Sequence, residues 1–121
     1  MDKKKTLVIG ASNNPARYSY LAIQKLRAYQ HPVVALGLRQ GVVGDTTITT
    51  EKLAHEAIDT ITLYLNPTNQ RAYYDYILSL QPKRIIFNPG TENDELMEMA
   101  RKKNIEVMEG CTLVMLSTRQ Y

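Results

Sequence analysis

Thr6-Leu7-Val8-Ile9-Gly10-Ala11-Ser12-Asn13-Asn14-Pro15-Ala16-Arg17 is the stretch on which the reading of this chain turns. It begins as an unbroken apolar, β-branched run, the pattern of a strand buried on both faces. Small residues end the run, and a polar turn with one proline follows. Residues 17–30 then space Tyr18, Ala22, Leu26 and Tyr29 along one face of a helix. A buried strand feeding a helix through a short polar turn is the first half of a β-α-β unit.

Outward from that unit the pattern repeats. Val33-Val34-Ala35-Leu36, set between Pro32 and Gly37, reads as a second strand. Thr60 to Leu65, Lys83 to Phe87 and Ile105 to Met108 read as a third, fourth and fifth. A helix over 67–80 opens with Asn66 as N-cap and Pro67 at its first position. Another, over 91–103, shows a capping-box-like Thr91 and Asp94. Glu92, Asp94 and Glu95 gather at its positive end, and Arg101, Lys102 and Lys103 at its negative end. Residues 40–58 are less regular; Thr46 to Thr50 suits a short edge strand and Glu51 to Ala57 a short helix. Cys111 to Leu116 is a short apolar closing segment. The sum predicts an α/β, Rossmann-like doubly wound three-layer sandwich with about five parallel strands, one domain over residues 1–121. Ligands of such sheets bind outside the carboxyl ends of the strands, at the switch in strand order.

The strand ends are therefore the candidate site. After the first strand, Gly10 permits close backbone approach, Ala11 keeps the turn small, and Ser12, Asn13 and the free amides of the next helix can donate to a phosphate. Arg17 adds a charged donor. The turn is neither GxGxxG nor GxxxxGK[ST], which excludes a P-loop. After the second strand stand Gly37 and Arg39, with no carboxylate before Asp45. A dinucleotide site for NAD needs an acid there for the ribose hydroxyl. A cation favours a phosphorylated ribose instead, as in NADP or coenzyme A. Leu65, Asn66 and Pro67 close the third strand; Asn88, Pro89 and Gly90 make a tight turn after the fourth.

Catalytic groups are scarce. His31 precedes the second strand, at the opposite end of the sheet, and His55 falls in the irregular segment. Cys111, the single cysteine, excludes an internal disulfide and reads as a packed small hydrophobe. Two distant histidines and one cysteine make no metal site. Fifteen basic and twelve acidic residues leave a net charge of +3, scattered along the chain, which suits a small anion better than nucleic acid. No uncharged stretch exceeds about a dozen residues, well short of the roughly 18–20 that cross a bilayer. Without an apolar leader, the expected location is cytoplasmic. The residues describe a binder of a small nucleotide-like ligand, not an enzyme.

Gly10-Ala11-Ser12-Asn13-Asn14-Pro15-Ala16-Arg17-Tyr18-Ser19-Tyr20 resembles the GASxxPxRxSY opening of the small stand-alone CoA-binding proteins. These are Rossmann-like domains related to the CoA-binding part of succinyl-CoA synthetase. The likeness continues through Leu65-Asn66-Pro67, through 86–93, and to Cys111. It implies coenzyme A or an acyl-CoA lying over the strand ends, its ADP phosphates near Gly10, Ser12, Asn13 and Arg17. Ser19 and Tyr20 would brace that loop, and Arg39 would stand near the adenosine end. Leu36-Gly37-Leu38-Arg39 departs from the Pro-Val-Asn-Pro-Lys style of the family, and Asn66-Pro67 replaces an arginine-containing turn. The implied affinity is micromolar, about −8 kcal/mol. The competing readings are an NADP-binding reductase-like domain and an interaction module that dimerises through Thr112 to Leu116. A mixed disulfide between Cys111 and the CoA thiol is a further one.

Overall fold

In the computed structural model, which describes residues 2–121, the elements follow as β1 (Thr6–Ile9), α1 (Tyr18–Ala28), β2 (Val33–Leu36), β3 (Gly41–Val43), β4 (Thr46–Thr49) and β5 (Thr60–Leu63). Then come α2 (Pro67–Gln70), a 3₁₀ turn (Arg71–Tyr73), α3 (Tyr74–Ser79), β6 (Arg84–Phe87), α4 (Asp94–Lys102), β7 (Glu106–Glu109) and α5 (Thr112–Ser117). The strands form one sheet in the order β3-β4-β2-β1-β5-β6-β7. Every neighbouring pair is parallel except the β3–β4 hairpin. The central strand is β1, with Ile9 in register beside Leu36 of β2 and Leu63 of β5.

Alternation along the strands divides the core into two layers. Leu7, Ile9, Ile61, Leu63, Ile85 and Phe87 face α3 and α4, which contribute Ile77, Leu78, Leu96, Met97 and Ala100. Val8, Ala35, Ile48 and Ile86 face the other way, against Ile23 and Leu26 of α1 and Met115 and Leu116 of α5. The sandwich is therefore three-layered and doubly wound, as the sequence predicts.

The departures from expectation are local. The five expected strands are joined by β3 and β4, so the sheet has seven. β4 adds a further parallel strand on β2, and the Gly44-Asp45 turn lets β3 fold back on β4. Arg27 of α1 bonds Asp45 through Nε and Nη2 and holds that turn. Residues 51–57 form no helix. Glu51 to Ala54 are all exposed and offer no apolar face, and the chain instead makes tight Leu53→Glu51 and His55→Leu53 backbone bonds. Lys5, Tyr76 and Lys52 pin this strap through Glu56 O, Leu53 O and Ala72 O. The helix expected over 67–80 is broken by the 3₁₀ turn. Arg71 and Ala72 are exposed, so no packed face holds α-helical geometry across it.

The N-cap of α4 is Asn93, whose side chain accepts from Leu96 N at 3.2 Å; Thr91 instead donates its hydroxyl to Asn88 O at 2.8 Å, closing the turn after β6. Asn and Thr both cap well, and the turn has already used the threonine. Cys111 to Leu116 closes the fold as α5, with Cys111 at its N-cap.

Candidate functional site

Strand order reverses direction at β1: β2 leads outward on one side and β5 on the other. Above this switch lies a cleft of about 640 Å³, within the usual size of small-molecule sites. Its two walls meet where glycine alone fits. Gly10 has φ +89°, and a Cβ there would lie 2.9 Å from the carbonyl carbon of Tyr64. A Cβ on Gly37 would lie 2.4 Å from Ala11 O. Backbone thus packs on backbone, and the floor stays open because neither side chain exists.

The β1 loop braces itself. Ser12 Oγ accepts from Asn14 N, and Asn14 Oδ1 accepts from Ala16 N, both at 3.0 Å. Gly10 N and Ala11 N both donate to Leu36 O. The loop delivers the chain into α1 at Arg17, an extended N-cap residue that makes no side-chain cap, and the first turn holds no acid. Two other helices that open from the lining loops, α2 and α4, differ. Asn66 caps α2, and α4 has Asn93 together with Asp94 and Glu95. The amides at the start of α1 are thus left for an anion, as their dipole favours.

Two cations flank that helix start. Arg17 and Arg39 both line the cleft and are exposed. Neither has a carboxylate within ion-pair distance among the described residues, whose side-chain ion pairs are Arg27–Asp45 and Lys83–Asp59. Leu38, 82% exposed, and Tyr18, 72% exposed, stand beside them as an apolar rim. Across the switch the cleft continues over Tyr64, Leu65 and Asn66, then over Pro89, Gly90 and Thr91. From the end of β2 to the end of β6 is three strand spacings, about 14 Å. The cleft therefore suits an elongated ligand.

Of the residues expected at the site, Gly10, Ala11, Ser12, Asn13, Arg17, Ser19, Arg39, Leu65, Asn66, Pro89 and Gly90 come together around this cleft. Four others stand back from it. Gly37 supports Ala11 from below. Tyr20 packs in the core layer under α1, its hydroxyl accepting from Gln24. Pro67 starts α2. Asn88 is buried beneath the floor: its Nδ2 donates to Thr62 Oγ1 and Leu63 O, and its Oδ1 accepts from Thr112 N.

The lining also includes Asn14, Tyr18, Leu38, Tyr64 and Thr91. Asn14 and Tyr18 lie inside the motif-like loop after β1, and Thr91 reads from sequence as a helix cap; nothing in the sequence marks Leu38 or Tyr64 as lining. Burial pushes the Tyr64 phenol up to about 12, against the pull of the nearby Thr62 and Thr112 hydroxyls, so it stays protonated. His31 lies at the opposite end of the sheet, fully buried. Its Nδ1 accepts from Lys4 N and its ring packs against Tyr121. Neither Cys111 nor His55 lines the cleft. Among the described residues no cluster of His, Cys, Asp and Glu could hold a metal ion, and no helix is long and apolar enough to cross a membrane.

Fold and site together define a Rossmann-like α/β domain with a crevice at its switch point that two exposed arginines line. The family described as CoA binding domain matches residues 4–117, and the chain belongs to it. Among solved structures, one of an uncharacterized protein is 49% identical, each chain covering 100% of the other, with a TM-score of 0.97. A hypothetical protein from Pyrococcus horikoshii OT3 is 18% identical, with 98% of this chain and 84% of that one covered and a TM-score of 0.85. A Thermus thermophilus protein, cell-free ID.343, is also 18% identical, with coverage of 98% and 91% and a TM-score of 0.86. At those identities the last two speak for the fold. No curated protein matches the chain.

Proposed function

We propose that this protein binds coenzyme A, free or acylated, across the carboxyl ends of β2, β1, β5 and β6, and performs no chemistry on it. The observation that carries the reading is the pairing of an uncapped α1 N-terminus with two arginines that have no acidic partner in the same cleft. A diphosphate meets the α1 amides and Arg17, and a ribose phosphate meets Arg39. The family match adds independent weight. For the absence of chemistry, the support is the lining itself: it carries no imidazole or thiol, the Glu92 carboxylate at its edge accepts from Gly90 N, and the Tyr64 phenol is held protonated. A general acid or base needs a group that titrates near the working pH.

The ligand is thus a small anionic nucleotide, and the location expected from the sequence is the cytoplasm. Arg39 would meet the 2′-phosphate of NADP as readily as the 3′-phosphate of coenzyme A, so NADP is the control ligand. Calorimetric titration of ligand-free protein tests the reading. Coenzyme A should bind with micromolar affinity, and 3′-dephospho-CoA about tenfold more weakly, a difference of roughly 1.4 kcal/mol. Arg39→Ala should remove that difference. Tighter binding of NADP than of coenzyme A would overturn the assignment.

A further inference from the structure

Gln70 is wholly buried, yet it is the last residue of the four-residue helix α2 and belongs to neither core layer. Its Nε2 donates to Leu65 O and to Thr91 O, both at 2.8 Å. Its Oε1 accepts from Asn93 Nδ2, also at 2.8 Å. That Asn93 amide also donates to Tyr74 OH, while its Oδ1 caps α4 through Leu96 N. Every polar group of the Gln70 amide is therefore used. The orientation is determined by the partners, because the reversed amide would set its oxygen against two carbonyls.

Leu65 and Thr91 both line the cleft, one on the loop after β5 and the other on the loop after β6. One buried amide thus joins both loops and, through Asn93, the start of α4. Loops at strand ends gain precision when a satisfied buried network holds them.

We infer that Gln70 is a positioning residue for the ligand, setting the width of the β5–β6 half of the cleft while the arginines hold the other half. The inference rests on the coenzyme A reading. Arg17 and Arg39 sit on the β1 and β2 loops, to which the Gln70 side chain makes no hydrogen bond. Its loss should therefore weaken a ligand that spans the cleft and spare one confined to the arginine side.

The experiment compares coenzyme A with adenosine 3′,5′-bisphosphate, the fragment lacking the 4′-phosphopantetheine arm, on wild-type and Gln70→Met proteins by calorimetry. Losing a buried bridge should raise the Kd for coenzyme A about tenfold and that for the bisphosphate less than about twofold. Equal losses for both ligands mean general destabilisation and overturn the inference; unchanged coenzyme A affinity overturns it as well. If wild-type protein binds neither ligand, the functional reading itself has failed, and the inference falls with it. A second measurement needs no variant to fold. In ligand-free wild-type protein, the Gln70 side-chain amide protons should exchange slowly with solvent by NMR, and fast exchange refutes the bridge.

Discussion

Replacing Asn88 with alanine separates scaffold from ligand contact. The side chain is 2% exposed and makes three hydrogen bonds, at 2.7 Å to Thr62 Oγ1, 2.9 Å to Leu63 O and 2.9 Å from Thr112 N. They tie β5, β6 and the first turn of α5 together beneath the cleft floor. Asn88→Ala leaves the Leu63 carbonyl and the Thr112 amide without this partner, at about 1–3 kcal/mol for each buried group left unpaired. Such costs are not additive, and about 3 kcal/mol is the expected total. The entropy of unfolding for a chain of 121 residues is about 0.25 kcal/mol/K, so the midpoint should fall by about 12 °C. Thermal unfolding followed by circular dichroism, with and without excess coenzyme A, reads both properties. The ligand-free midpoint should fall by that amount, and the ligand-induced rise should stay close to that of the wild type. A fall of less than about 4 °C, equivalent to about 1 kcal/mol, would refute the scaffold role. So would loss of the ligand-induced rise with the ligand-free midpoint unchanged.

Other consequences follow from burial and backbone geometry. Burial, then Lys3, Lys4 and Arg84, hold the His31 imidazole below its usual pKa, with Asp59 opposing. Below about pH 6.5 the unfolded chain takes up a proton that the folded one resists, so the stability this residue contributes is lost as pH falls from there toward the folded value. His31→Gln should therefore reduce the difference in midpoint between pH 7.5 and pH 5; no reduction would contradict the burial argument. His55 is held low mainly by burial too, then by Lys5, and His55→Gln should act in the same direction. Ala57 has φ +57°, a left-handed conformation that costs an L-residue roughly 1–2 kcal/mol. Ala57→Gly should raise stability to denaturant by about 0.5–1 kcal/mol, after the greater chain entropy of glycine is deducted; a loss of stability would count against strain there.

The fold was legible because its signals are local and strong. Thr6 to Ile9, Thr60 to Leu63 and Arg84 to Phe87 are buried at every position, and runs rich in β-branched and apolar residues announce that kind of strand. The β3–β4 hairpin was half missed. Gly41-Val42-Val43 is only three residues long, and its pairing depends on a partner strand rather than on its own pattern. The strap over 51–57 looked helical by composition, but distant partners hold it: Lys5 and Tyr76 donate to its carbonyls, and its own Lys52 donates to Ala72 O. At the site, the β1 loop and both arginines could be placed at the cleft because they follow directly on strand ends, where ligands of parallel sheets bind. Asn88 illustrates the limit: an asparagine at a strand end reads as a ligand donor, and only the packed structure shows that its amide points down to Thr62 and Thr112. Gln70 was invisible for the same reason, since nothing in Asn66-Pro67-Thr68-Asn69-Gln70 marks one amide as the bridge between two loops.

The most direct test of the central claim is thermal unfolding of protein confirmed free of ligand, in the presence of coenzyme A, NADP and NAD, each in large excess. At 100 times its Kd a ligand stabilises by about 2.7 kcal/mol, which corresponds to about 10 °C for a chain of this size. Coenzyme A should give a rise of that order, NADP a smaller one and NAD none. No rise with coenzyme A, or a larger one with either dinucleotide, would contradict the claim.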